Sequence, residues 1–245
     1  MTAGMVLRNY LPDHHLNTDS KDAIRLATVI VGTLSALALG LLIASAKTTY
    51  DNADLELRTS AARIVLLDRV MAHYGPETTT ARQQLAKVVE RRLRRGWTAA
   101  TADEAAGGEA EFQDIELVQS NLRDLVPTND IQRSLQSRAL EVSGMVAEGH
   151  WLLVESANTG LPWPFLTILV LWLALLFATF GLQAPPNPTV ICILAVCALS
   201  VATAIFLITE MADPYQGLLH ISDEPLREAL GRLGQGDATQ ATFTK

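Results

Sequence analysis

Cysteine is nearly absent from the 245-residue sequence: only Cys192 and Cys197, both inside one apolar run. Five residues apart on a helix, they point about 140° away from each other. That excludes a disulfide framework and leaves them as small buried hydrophobes. Charge is also scarce. Asp, Glu, Lys and Arg make up 18% of the chain, against the roughly 25% usual in soluble domains. The net charge of −7 provides no basic field for nucleic acid, so no nucleic-acid partner is expected. No G-x-S-x-G, P-loop, H-E-x-x-H or C-x-x-C occurs. Nothing therefore assembles a nucleophile, a base and an oxyanion site, and no enzyme is expected. His14-His15 has no Cys or third His nearby, so neither a metal site nor a cofactor is expected. No cleavable signal peptide is visible in the first 22 residues, which contain Asp13, Asp19 and Asp22; the first apolar run is expected to target the chain by itself.

What the chain does have is long uncharged runs, and the mean hydropathy is +0.21. Leu26 to Ala46 holds no charge and is long enough to cross about 30 Å of hydrocarbon. A second run opens at Trp163, between Pro162 and Pro164, and ends at Leu182. A third spans Thr189 to Thr209 and stops at Glu210. Between the last two, Gln183 to Pro188 reads as an uncharged tight turn, which makes them a helical hairpin. A soluble core helix would show a polar face, and Leu166 to Phe180 offers only Thr167 and Thr179. The expected fold class is all-α: a polytopic membrane protein with three transmembrane helices, one single and one hairpin, and a helical cytosolic region.

The resulting organisation is a polar segment at 1–22, spans at 23–46, 161–184 and 189–209, a helical region at 47–160 and a tail at 210–245. Lys47, Arg58 and Arg63 follow the first span, Arg227 and Arg232 follow the third, and the turn after the second has no Lys or Arg. The positive-inside rule then puts the middle region and the tail in the cytoplasm, in a cell membrane, most simply the bacterial inner membrane. The middle region reads as helices over Asp51 to Tyr74, up to Gly96, Glu111 to Leu125 and Asn129 to Val154. Gly75-Pro76 ends one helix and starts the next, and Ala99 to Gly108 forms an acidic linker.

Three features are candidates for function. Thr28, Gly32, Ala36, Gly40 and Ala44 recur every four residues in the first span. Such small-residue stripes let membrane helices approach closely, so this one either lines a pore or packs helices within one subunit. The turn after the third span, with Glu210, Asp213, Pro214 and Gly217, either ends the helix or brings acidic groups to a pore mouth. Glu90 to Trp97 is the densest basic cluster and either holds an anion or finishes a helix. No span contains an ionisable residue that would couple transport to protons. A constriction that is apolar or built from backbone needs none.

Several segments resemble one family. They are Leu11 to Leu16, Asp19 to Asp22, Ala38 to Lys47, Leu67-Asp68-Arg69, His73 to Glu77, Phe180 to Pro185, Pro214 to Gly217, Ile221-Ser222 and Pro225-Leu226. Together they resemble the bestrophin-like family of bacterial and plant membrane proteins, long catalogued as a domain of unknown function. The resemblance implies a helical homo-oligomer in the lipid bilayer that conducts chloride or other anions. The alternative is a non-conducting membrane scaffold that binds a partner protein. Relatives usually carry one more span before the His-His segment. They also tend to have Leu-Asp after the position of Glu210 and Phe before Gln-Gly, where Met211, Ala212 and Tyr215 stand here.

Overall fold

The computed structural model describes residues 18–95, 114–158, 163–183, 187–215 and 217–233, and every element among them is helical. His14, His15, the acidic linker at 99–108 and the centre of the hairpin turn, 184–186, lie outside the described residues.

Helix α1 runs unbroken from Thr18 to Tyr74. At 1.5 Å per residue its 57 residues extend about 85 Å, nearly three times the hydrocarbon thickness. The composition changes at Lys47, but the backbone does not. No Gly or Pro occurs between Leu41 and Tyr74, and the good helix formers Leu, Ala and Arg carry the turn forward. The hydroxyls at the change of composition serve the same helix: Thr48 Oγ1 donates to the Ala44 carbonyl at 2.9 Å and Thr49 Oγ1 to that of Ser45 at 3.2 Å. The chain divides into two compact units within this helix, after Tyr50.

The first unit holds residues 1–50 and 160–212. It contains α5, Trp163–Gln183, and α6, Pro188–Ala212. With α1, these are the three helices among the described residues that are long and apolar enough to cross a membrane. Their surfaces are apolar and uncovered, with Leu26, Leu37, Leu41, Trp163, Phe165 and Leu199 each at least 64% exposed. In a water-soluble molecule such a surface would cost much free energy; hydrocarbon or a second copy removes that cost.

The second unit, 51–159 and 213–245, has a conventional helical core. Gly75 stops α1 with a positive φ of 137° and ψ −178°, outside the helical region. The Thr78 hydroxyl lies 2.6 Å from the Met71 carbonyl and 2.8 Å from that of Gly75 and shares its one proton between them, tying the turn to the end of α1. Pro76 does not begin the next α-helix. It begins a 3-10 turn, Pro76–Thr78, and α2 follows as Thr79–Arg95. Residues 114–123 form α3. Asn129 caps α4, Asp130–Asn158, by accepting the Gln132 N–H at 2.8 Å. Gln136 Nε2 donates to the carbonyls of Leu122 and Leu125, closing the end of α3. Helix α7, Glu224–Arg232, packs on α2. Leu57, Leu67 and Met71 of α1, Leu85 and Val89 of α2, Val118 and Leu122 of α3, Val142 of α4 and Leu226 of α7 are buried in this core.

Candidate functional site

The small-residue stripe of α1 does not stay on one face. Each four-residue step advances about 40° around a helix, so Thr28 and Ala44 differ by about 160°. Burial follows that rotation. Thr28 is buried, Gly32 is half-buried, and Ala36, Gly40 and Ala44 are exposed. Leu176 Cδ1 of α5 comes within 3.2 Å of where a Cβ on Gly32 would stand, whereas among the described residues nothing lies within 4 Å of a Cβ on Gly40. The stripe thus begins in the subunit's own packing and ends on its surface.

The covered face has a longer repeat. Thr28, Ser35 and Ala46 are all buried, and steps of seven and eighteen residues bring a helix back to within about 20° of its starting direction. Ser35 belongs to this face and was missed by reading every fourth residue. Its Oγ is buried without a hydrogen-bond partner among the described residues. Thr28 Oγ1 donates to the Ile24 carbonyl at 2.7 Å and approaches Thr179 Oγ1 of α5 at 3.5 Å. Opposite lies an apolar, uncovered arc with Ile30, Leu37 and Leu41, which Gly40 and Ala44 border.

The turn after α6 is built differently from a cluster of acids. Pro214 and Tyr215 are buried, Asp213 is exposed, and Gly217 turns the chain at φ 85°. The Ile221 N–H donates to the Pro214 carbonyl at 2.9 Å and closes the loop. Glu210 lies in the last turns of α6 and is half-buried. No group of three or more His, Cys, Asp or Glu is placed to hold a metal among the described residues.

In the basic cluster, Arg91 pairs with Asp114 of α3 at 2.6 Å and Arg94 with Glu90 at 2.9 Å. Those cations are engaged within the unit. The cluster's end, from Gly96 to Trp97, lies outside the described residues. On α7, Arg227 donates to Asp223 from Nε at 3.2 Å and Nη2 at 3.0 Å. That hydrogen bond holds the Asp223 carboxyl below the usual carboxylate range. A buried pair that the sequence did not flag joins α1 to α2: Arg82 and Asp68.

The bestrophin-like domain model matches residues 2–226. Among solved structures, the crystal structure of a bacterial bestrophin homologue from Klebsiella pneumoniae is similar. It superposes with a TM-score of 0.67 at 15% identity, covering 87% of each chain. A leucine-to-threonine variant of that homologue gives 0.66 at 15% identity, covering 86% of this chain and 87% of the other. A structure described only as a membrane protein with a single substitution gives 0.67 at 15% identity, covering 87% of each chain. At these identities the likeness is one of fold. No curated protein matches the sequence.

Proposed function

The chain belongs to the bestrophin-like family, and we propose that it is the subunit of a homo-oligomeric ring that conducts anions across the bacterial inner membrane. The observation that carries this reading is the uncovered face of α1. Among the described residues Gly40 has open space around it, and Leu37 and Leu41 beside it are 72% and 71% exposed. Helices of a ring need such a face to meet one another or the symmetry axis.

In the proposed assembly Gly40 and Ala44 approach the axis, Leu37 and Leu41 form an apolar constriction, and Ala36 stands at the edge of that face, beside the cleft between α1 and α5. Thr28 and Gly32 serve packing against α5. An apolar constriction passes ions by controlling its wetting rather than by a charged relay, which suits spans without ionisable residues. The tail and the 47–160 region lie on the cytoplasmic side, and the turn at Asp213, Pro214 and Gly217 ends the third span at that surface.

Purified protein in liposomes is expected to dissipate a chloride gradient. A stable ring-shaped oligomer without flux overturns conduction and leaves the partner-binding scaffold as the reading. A monomer by native mass in detergent removes both the ring and the pore.

A further inference from the structure

Within the first unit a cleft of about 540 Å³ opens between α1 and α5, lined by Arg25, Thr28, Val29, Gly32, Ala36 and Phe180, among others. Its walls are apolar over most of their length. The two threonines that line it, Thr28 and Thr33, spend their hydroxyl protons on their own helix, on the carbonyls of Ile24 and Val29. The one charge at the cleft is Arg25, which is exposed and makes no ion pair among the described residues.

Arg25 stands immediately before the charge-free run that begins at Leu26, so its head lies where a long cation reaches the interface from an apolar wall. From Arg25 to Ala36 the helix rises about 16 Å, roughly half of the 30 Å hydrocarbon core. The cleft therefore has the depth of one leaflet, a cation at the headgroup end and apolar walls below it. We propose that it binds one anionic phospholipid, its phosphate at Arg25 and an acyl chain along Gly32, Ala36 and Phe180.

One cation at a membrane surface favours an anionic lipid by roughly five-fold. The full chain, reconstituted in phosphatidylcholine vesicles, is expected to immobilise spin-labelled phosphatidylglycerol over spin-labelled phosphatidylcholine by about that factor. Arg25→Gln should remove the preference, while Arg138→Gln, which removes a charge from α4, should retain it. Ala36→Phe, which narrows the cleft and leaves the charge, should reduce the immobilised fraction of both lipids. A preference that survives Arg25→Gln overturns the proposal. So does displacement of the bound lipid by inorganic phosphate, which would show that a free anion suffices. So does efficient cross-linking between copies through Thr33→Cys, with Cys192 and Cys197 replaced by serine, because the occupant would then be a neighbouring subunit. The lipid-preference measurements do not depend on ion flux and stand apart from conduction, whereas efficient cross-linking at Thr33 would support the ring while overturning the lipid proposal.

Discussion

Arg82 holds Asp68 by a two-pronged contact, Nε to Oδ1 at 2.8 Å and Nη2 to Oδ2 at 3.3 Å. Both side chains are more than nine-tenths buried, at 9% and 3% exposure. The pair crosses from α1 to α2, seven residues to either side of Gly75. Removing one partner leaves the other charge buried without this two-pronged contact. Asp68→Asn or Arg82→Met alone is expected to cost about 3–5 kcal/mol. The double change Asp68→Leu with Arg82→Met should cost clearly less than either single change. Thermal unfolding in detergent checks this, and equal losses in the single and double variants would contradict it.

Gly75 sits at φ 137°, ψ −178°, a conformation open essentially to glycine alone. A Cβ there would also push aside the Glu77 carboxylate, the movable end of its side chain, so the backbone conformation carries the cost. Gly75→Ala is expected to destabilise the second unit by about 1–3 kcal/mol. Limited proteolysis should then cut near residue 75 at a lower temperature than in the parent protein.

Gly40 and Gly32 should respond oppositely to the same change. Gly40→Leu meets open space within the subunit, whereas Gly32→Leu drives into Leu176 of α5. Gly40→Leu is expected to leave the melting temperature within a few degrees of the parent and to abolish flux or ring assembly. Gly32→Leu should lower the melting temperature first. Native mass, flux and thermal scans on both variants separate the two effects; flux and assembly that survive Gly40→Leu place this face towards lipid.

Ser35 buries a hydroxyl that has no hydrogen-bond partner among the described residues. Leaving such a group unsatisfied costs about 1–3 kcal/mol. Ser35→Ala is expected to hold or raise the melting temperature, and a clear drop would show that the hydroxyl is used in the assembled protein.

Acid should loosen α7. The folded carboxyl of Asp223 titrates below its ordinary range, chiefly because Arg227 donates hydrogen bonds to it. A depressed pKa stabilises the fold above the unfolded value, near 3.9, and that contribution is lost as pH falls through the folded value. Amide exchange at Leu226 to Leu230 should therefore accelerate below about pH 4. Arg227→Gln should show smaller acid sensitivity, because its Asp223 is already close to the ordinary range.

The helix ends were legible where the chemistry is local. Gly75, with no Cβ, and Asn129, with a short acceptor side chain, act on the groups next to them, and both mark ends in the structure. Pro76 was misread by one turn. Ring closure suits a 3-10 turn as well as an α-helix, and the hydroxyls of Thr78 and Thr79 settle that stretch. Arg82 could not be paired from sequence, since Asp68 is fourteen positions away and across a turn.

The sequence by itself determined three apolar helices and the family. A run of about 20 apolar residues prefers hydrocarbon whatever its neighbours are, and the bestrophin-like pattern covers residues 2–226. Only the tertiary structure decided which side of α1 is covered. Small residues every fourth position look like a face, yet that spacing winds about 40° per step around the helix. Contact with α5 buries Thr28 and half-buries Gly32. The same rotation brings Ala36, Gly40 and Ala44 to the surface, and composition carries no record of which neighbour a helix meets.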